Sequence, residues 1–155
     1  MVMMAVMGLS ANRIVAQSST SDYSQWYLGG STGISISGID NIPDILSFQG
    51  AYFFNPKYGA GLAFNKRFEG IYSQSILSAA FFAHLGSSQS KWFFPIRVGL
   101  GLELTDRSIA CYTSAGVAYK PIKWLSFGLN AEFASTFEND LEEGLGFSIG
   151  LGFHF

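Results

Sequence analysis

The sequence predicts an all-β fold, an eight-stranded antiparallel up-and-down transmembrane β-barrel, on three observations. The first is the stretch 144–155, GLGFSIGLGFHF. Leu145, Phe147, Ile149, Leu151, Phe153 and Phe155 fall on one face of an extended strand, and Gly144, Gly146, Ser148, Gly150, Gly152 and His154 on the other. Such strict alternation marks a strand between two different environments. A soluble strand would carry charge on its wet face; small uncharged residues there suit a crowded lumen, with the large residues facing lipid. The second observation is composition: aromatics reach 16% while charged residues are only 13%, about half of the ~25% usual in soluble domains. The third is that no run approaches the ~18 uninterrupted apolar residues of a membrane-spanning helix. That leaves the closed barrel, in which every backbone N–H and C=O is also paired inside lipid.

The elements follow in order. Residues 26–37 put Leu28, Thr32, Ile34 and Ile36 opposite Gly29, Ser31, Gly33 and Ser35. After a loop rich in turn residues (38–44), residues 45–54 place Leu46, Phe48, Tyr52 and Phe54 outward and Ser47, Gln49 and Ala51 inward. A tight turn over 55–57 leads into 58–65, with Ala60, Leu62 and Phe64 outward, and 66–70 reads as a charged loop. Residues 73–85 send Leu77, Ala79, Phe81, Ala83 and Leu85 outward; Gln74, Ser78 and His84 face inward, joined by Ile76 and Phe82. Past a polar turn (86–91), residues 92–104 set Phe94, Ile96, Val98, Leu100, Leu102 and Leu104 against Pro95, Arg97, Gly99, Gly101 and Glu103. A short loop (105–108) precedes 111–119, with Thr113, Ala115, Val117 and Tyr119 outward. Residues 120–123 read as a turn. Residues 124–135 carry Leu125, Phe127, Leu129, Ala131 and Phe133 outward and Ser126, Gly128, Asn130 and Glu132 inward. An acidic loop (136–143) returns the chain to its last strand. Eight strands joined by short connections give an up-and-down order.

Two further patterns agree with the count. Alternate strands begin with an aromatic, Trp26, Tyr58, Trp92 and Trp124, about one hairpin apart each time, which sets an aromatic girdle at one rim. Charges segregate as well: the turns on that rim hold Lys57, Lys91, Lys120 and Lys123, whereas the opposite loops are mainly acidic, holding Asp40, Asp44, Glu69, Asp106, Glu138, Asp140, Glu142 and Glu143 beside Lys66, Arg67 and Arg107. No charge is expected at an outward strand position, where it would cost up to ~2–4 kcal/mol at mid-bilayer. The net charge of −2 argues against a nucleic-acid partner, and the single Cys111 allows no internal disulfide and no cysteine-based metal site.

The eight segments, the FNPKYG turn at 54–59 and the ending LGFHF at 151–155 resemble small outer-membrane β-barrel proteins of Gram-negative bacteria, the OmpA/OmpX-type and OmpW-like barrel domains. The resemblance covers 26–155. It implies an outer-membrane location with termini and basic turns periplasmic and acidic loops extracellular, a monomer, and outer-membrane lipids and lipopolysaccharide as surroundings. It also implies recognition by the outer-membrane assembly machinery, whose C-terminal signal is matched here by Phe155, Phe153, Leu151 and Gly150. The loops are shorter than those of adhesive or invasive members. The domain layout expected is a truncated signal peptide over 1–16, ending at Ala16, a periplasmic lead-in over 17–25, and the barrel over 26–155.

An eight-stranded barrel is just wide enough to be filled by its own side chains. Arg97, Glu103 and Glu132 are the charges the pattern places in the lumen, beside Asn130 and Gln49. Arg97 and Glu132 lie on strands rising from the same rim at comparable heights, so an ion pair across the lumen is expected. Catalysis is not: Ser78 and Ser148 are each six residues from His84 and His154, about 20 Å along a strand, beyond nucleophile–base contact. No catalytic residue, metal or cofactor is expected, and the acidic 138–143 stretch reads as a solvated turn rather than a divalent-cation site. The function expected is a structural or surface-interaction barrel with a filled lumen. The alternatives are a narrow channel or lateral conduit for small or hydrophobic solutes, or a soluble lipocalin-like barrel with the faces inverted.

Overall fold

The computed structural model describes residues 24–36, 44–69, 72–87, 90–137 and 144–155. The expected signal segment, most of the lead-in and the acidic stretch 138–143 lie outside the described residues. The eight expected strands are β1 (Trp26–Ser35), β2 (Ile45–Phe53), β3 (Tyr58–Glu69), β4 (Tyr72–Leu85), β5 (Trp92–Glu103), β6 (Ile109–Ile122), β7 (Leu125–Thr136) and β8 (Gly144–His154). Each pairs antiparallel with the next, and β8 returns to β1, closing the barrel. The seam runs from Tyr27 opposite His154 to Ser35 opposite Gly146. Beyond it the Trp26 N–H donates to the Phe155 carbonyl at 3.0 Å and the Phe155 N–H to the Trp26 carbonyl at 2.8 Å. Closure leaves no unpaired strand edge to recruit another chain.

The period-two pattern decides the faces. Leu100, Leu129 and Ile149 are 62%, 57% and 65% exposed on the outer wall, while Ser47, Ser78 and Glu132 are buried inside. Apolar-out and polar-in is the reverse of a soluble ligand-binding barrel, so the lipocalin-like alternative does not fit this architecture. A barrel this small curves tightly, and glycine answers the crowding on the inner wall. A Cβ at Gly61 or Gly101 would run into the carbonyl oxygen of the neighbouring strand, that of Gly50 or Leu77.

Local chemistry fixes the connections. In the turn after β2, the Asn55 carboxamide oxygen accepts from the backbone N–H of Lys57 and of Tyr58, both at 2.9 Å, an Asx-type closure of a two-strand hairpin. In the β5–β6 loop, Arg107 takes the left-handed conformation (φ 57°). Pro95 lacks an N–H, and the β5–β6 ladder skips from Phe93–Ala118 to Ile96–Ala115 around it. Pro121 accompanies a register shift between Tyr119 and Ile122 in the β6–β7 ladder, as expected where a strand loses a donor.

Three expectations are corrected. Residues 66–69, read as loop, continue β3: Ile45 of β2 and Gln74 of β4 face Arg67 in register and supply pairing partners that the local charge cluster conceals. Lys66 therefore lies on a strand position facing outward, at the end of the strand, with its Nζ 4.9 Å from the centre of the Phe68 ring; its long stem lets the ammonium leave the apolar band. Lys120, Pro121 and Ile122, read as turn, belong to β6.

Candidate functional site

Among the described residues, the lumen forms a concave, chemically differentiated region stacked in three tiers. The tier at the terminal rim, the end bearing Trp26 and Phe155, is an aromatic plug. Phe53 and His84 stand 4.4 Å apart by ring centroids, His84 and Phe93 4.7 Å, Tyr27 and His154 5.2 Å, with Phe82 against Tyr27. These residues are inward because they share the parity of the buried polar residues of their strands: Tyr27 with Ser31, Phe53 with Ser47, Phe82 and His84 with Ser78, Phe93 with Arg97 and His154 with Ser148. Side chains this large at the end of a narrow tube meet each other across it.

The middle tier is polar. Glu132, on β7, is 1% exposed and accepts from the hydroxyls of Ser31 on β1 (3.2 Å), Ser47 on β2 (3.3 Å) and Ser148 on β8. Arg97, on β5, is likewise buried, and its Nη2 donates to the Asn130 side-chain oxygen at 3.3 Å. The expected Arg97–Glu132 ion pair is not formed. Ser114 of β6 faces both residues in register, so the two charges share a tier but stand two strands apart, each bonded to other groups. Gln49 donates to the Tyr27 hydroxyl at 3.1 Å and so ties this tier to the plug. Between Arg97 and Asn130 on one side and Tyr27 and Phe93 on the other lies a cavity of about 20 Å³.

The third tier, toward the opposite rim, packs Ile76, Ala110, Tyr112 and Ala134 beneath charged residues that serve loops. Glu103 is inward and buried, but its oxygens accept from the backbone of Ser75 (3.2 Å) and Asp106 (2.6 Å), so it organises the β5–β6 loop rather than the central network. Asp44, expected in the turn-rich loop 38–44, is fully buried and holds the Ser35 N–H (2.6 Å) and hydroxyl (2.5 Å). Arg67 is buried as well and donates to the Gly144 carbonyl at 2.5 Å. Both escaped the sequence reading because their neighbours in sequence are loop-like.

The structure also brings together a pair that reasoning along single strands missed: the Ser126 hydroxyl and His154 Nε2, 2.9 Å apart across β7 and β8. The signal was available in the hairpin register, where Ser126 opposes Gly152, two residues from His154. Both are buried in the plug, and among the described residues no three His, Cys, Asp or Glu converge as metal ligands would.

On the outer wall the girdle residues sit where the spacing puts them. Trp26 packs on Tyr52 (5.1 Å), Tyr58 stacks on Phe81 (5.8 Å), Trp92 meets Tyr119 (4.8 Å) and Trp124 stacks on Phe153 (6.3 Å). Phe155, Phe153 and Leu151 are exposed on the same wall, and Gly150 faces the lumen.

No family model and no curated protein matches the chain. Solved structures match its fold. The N-terminal β-barrel domain of Pseudomonas aeruginosa OprF aligns with a TM-score of 0.60 at 14% identity, covering 86% of this chain and 100% of that one. Neisserial surface protein A (NspA) gives 0.57 at 12% identity, covering 87% and 100%. A de novo designed transmembrane β-barrel gives 0.57 at 15% identity, covering 87% and 98%. At such identities the likeness is one of architecture, and that architecture is the eight-stranded antiparallel transmembrane β-barrel the sequence predicts.

Proposed function

We propose that this chain is an outer-membrane β-barrel protein with a filled lumen, acting as a structural or surface-interaction element rather than as a wide pore or an enzyme. The observation that carries the reading is the opposition of the two walls. A continuous apolar band on the outside needs lipid to cover it, and the tiers of buried side chains inside support a filled lumen. The band also supports membrane lipids and lipopolysaccharide as its surroundings, and closure without a free edge supports a monomer. The exposure of Phe155, Phe153 and Leu151 at the terminal rim supports recognition by the outer-membrane assembly machinery. By the resemblance, that rim and its lysine-bearing turns face the periplasm.

Fractionation of cells expressing the full chain tests the location: recovery with detergent-extracted outer membranes is expected, and release in a periplasmic wash overturns it. Planar-bilayer recording tests the lumen. Background conductance is expected, whereas steady channels of porin size would show the tiers to be open. Cysteine labelling in the turn at 55–57 of intact cells tests the orientation, with no labelling by an impermeant reagent expected until the outer membrane is breached.

A further inference from the structure

We propose that the lumen cavity beside Arg97 binds a single halide-sized monovalent anion, of which chloride is the natural representative. Four observations carry this. Arg97 is 4% exposed and lines the cavity, and its Nη1 has no hydrogen-bond partner. A guanidinium cannot shed its charge, and a buried cation without a counter-charge costs several kcal/mol. Second, the carboxylate that would neutralise it, Glu132, is engaged by the hydroxyls of Ser31, Ser47 and Ser148. Third, the remaining polar lining can donate. The Gln49 amide has a second N–H beyond the one given to Tyr27, and the Asn130 amide nitrogen adjoins an oxygen already taken by Arg97. No carboxylate lines the cavity. Fourth, the volume of about 20 Å³ accommodates one water-sized species; phosphate, sulfate or an organic acid would not fit. A donor-rich, positively charged, one-atom space selects a monatomic anion over a metal cation.

The site stands apart from the biological role proposed above, because it asks only that the barrel be folded. The test follows thermal unfolding of the full chain, refolded in a non-ionic detergent, in sodium chloride or bromide against sodium gluconate at equal ionic strength. Gluconate is too large to enter. A ligand that binds only the folded state raises its stability with concentration, so a midpoint about 3 °C higher in halide is expected. Coincident halide and gluconate curves overturn the proposal. Gly128→Ala is the folding-competent control: Gly128 lines the cavity, and a Cβ there meets only ordinary contacts, the nearest at 3.4 Å, yet it takes up part of the space. The halide shift is expected to shrink in this variant and vanish in Arg97→Gln; a shift undiminished in Gly128→Ala assigns the effect to the surface and overturns the site. Should Arg97→Gln fail to fold, bromide-soaked crystals of the unaltered chain decide. An anomalous peak within hydrogen-bonding reach of the Arg97 guanidinium is expected, and a water alone in the cavity refutes it.

Discussion

Glu132 and Arg97 occupy one tier of the lumen and are satisfied in opposite ways. The carboxylate sits among three serine hydroxyls contributed by β1, β2 and β8; the guanidinium has one side-chain partner, Asn130, and one nitrogen without any. The difference teaches how a narrow barrel holds buried charge. Neutral donors converging from several strands can replace a counter-ion, because each hydrogen bond to a charged group contributes about 1.5–3 kcal/mol. They also cross-link strands distant in sequence. Arg97 gains little of this, since its neighbour Ser114 is short and the tier across from it is already spoken for.

The largest expected effect comes from emptying the richer of the two environments. Glu132→Leu leaves three buried hydroxyls without their acceptor and is expected to cost about 4 kcal/mol, read from urea unfolding of the refolded barrel. Arg97→Met removes one side-chain bond but also relieves a buried charge without a counter-charge, so it is expected to cost no more than about 1.5 kcal/mol, and a loss equal to that of Glu132→Leu would break the contrast. Ser148→Ala, deleting one of the three donors, should cost about 1.5 kcal/mol, the lower end of the range for a bond to a charged group. The smallest effect sharpens the comparison most. A double-mutant cycle between Arg97 and Glu132 should give a coupling energy of no more than about 0.5 kcal/mol, because the pair is not in contact. A coupling of about 2 kcal/mol would show that they pair after all.

What the residues reveal by themselves, and what they conceal, follows from how far each inference reaches. The faces of β5 and β8 could be read directly, because side-chain direction in a strand has a period of two and one misplaced residue would invert the whole set. The recurrence of Trp26, Tyr58, Trp92 and Trp124 about one hairpin apart agrees with the strand count. Arg67 could not be read: KRFEG looks like a loop, and only the partners across β2 and β4 reveal a continued strand. Heights were legible but angular positions were not, so Arg97 and Glu132 were rightly placed in one tier yet wrongly paired. The Ser126–His154 contact depends on hairpin register, which turn length sets and residue pattern along one strand does not express.

The mutual hydrogen bonds between Trp26 and Phe155 have a consequence for how the wall is sealed. The lock joins the first barrel strand to the last, so no partial chain that stops short of β8 can zip shut, and the tube forms only once all eight staves are in hand. Because Trp26 and Phe155 lie side by side, joining these two positions and cutting instead at the Asn55–Lys57 hairpin should yield a permuted barrel with the same stave order and a relocated seam.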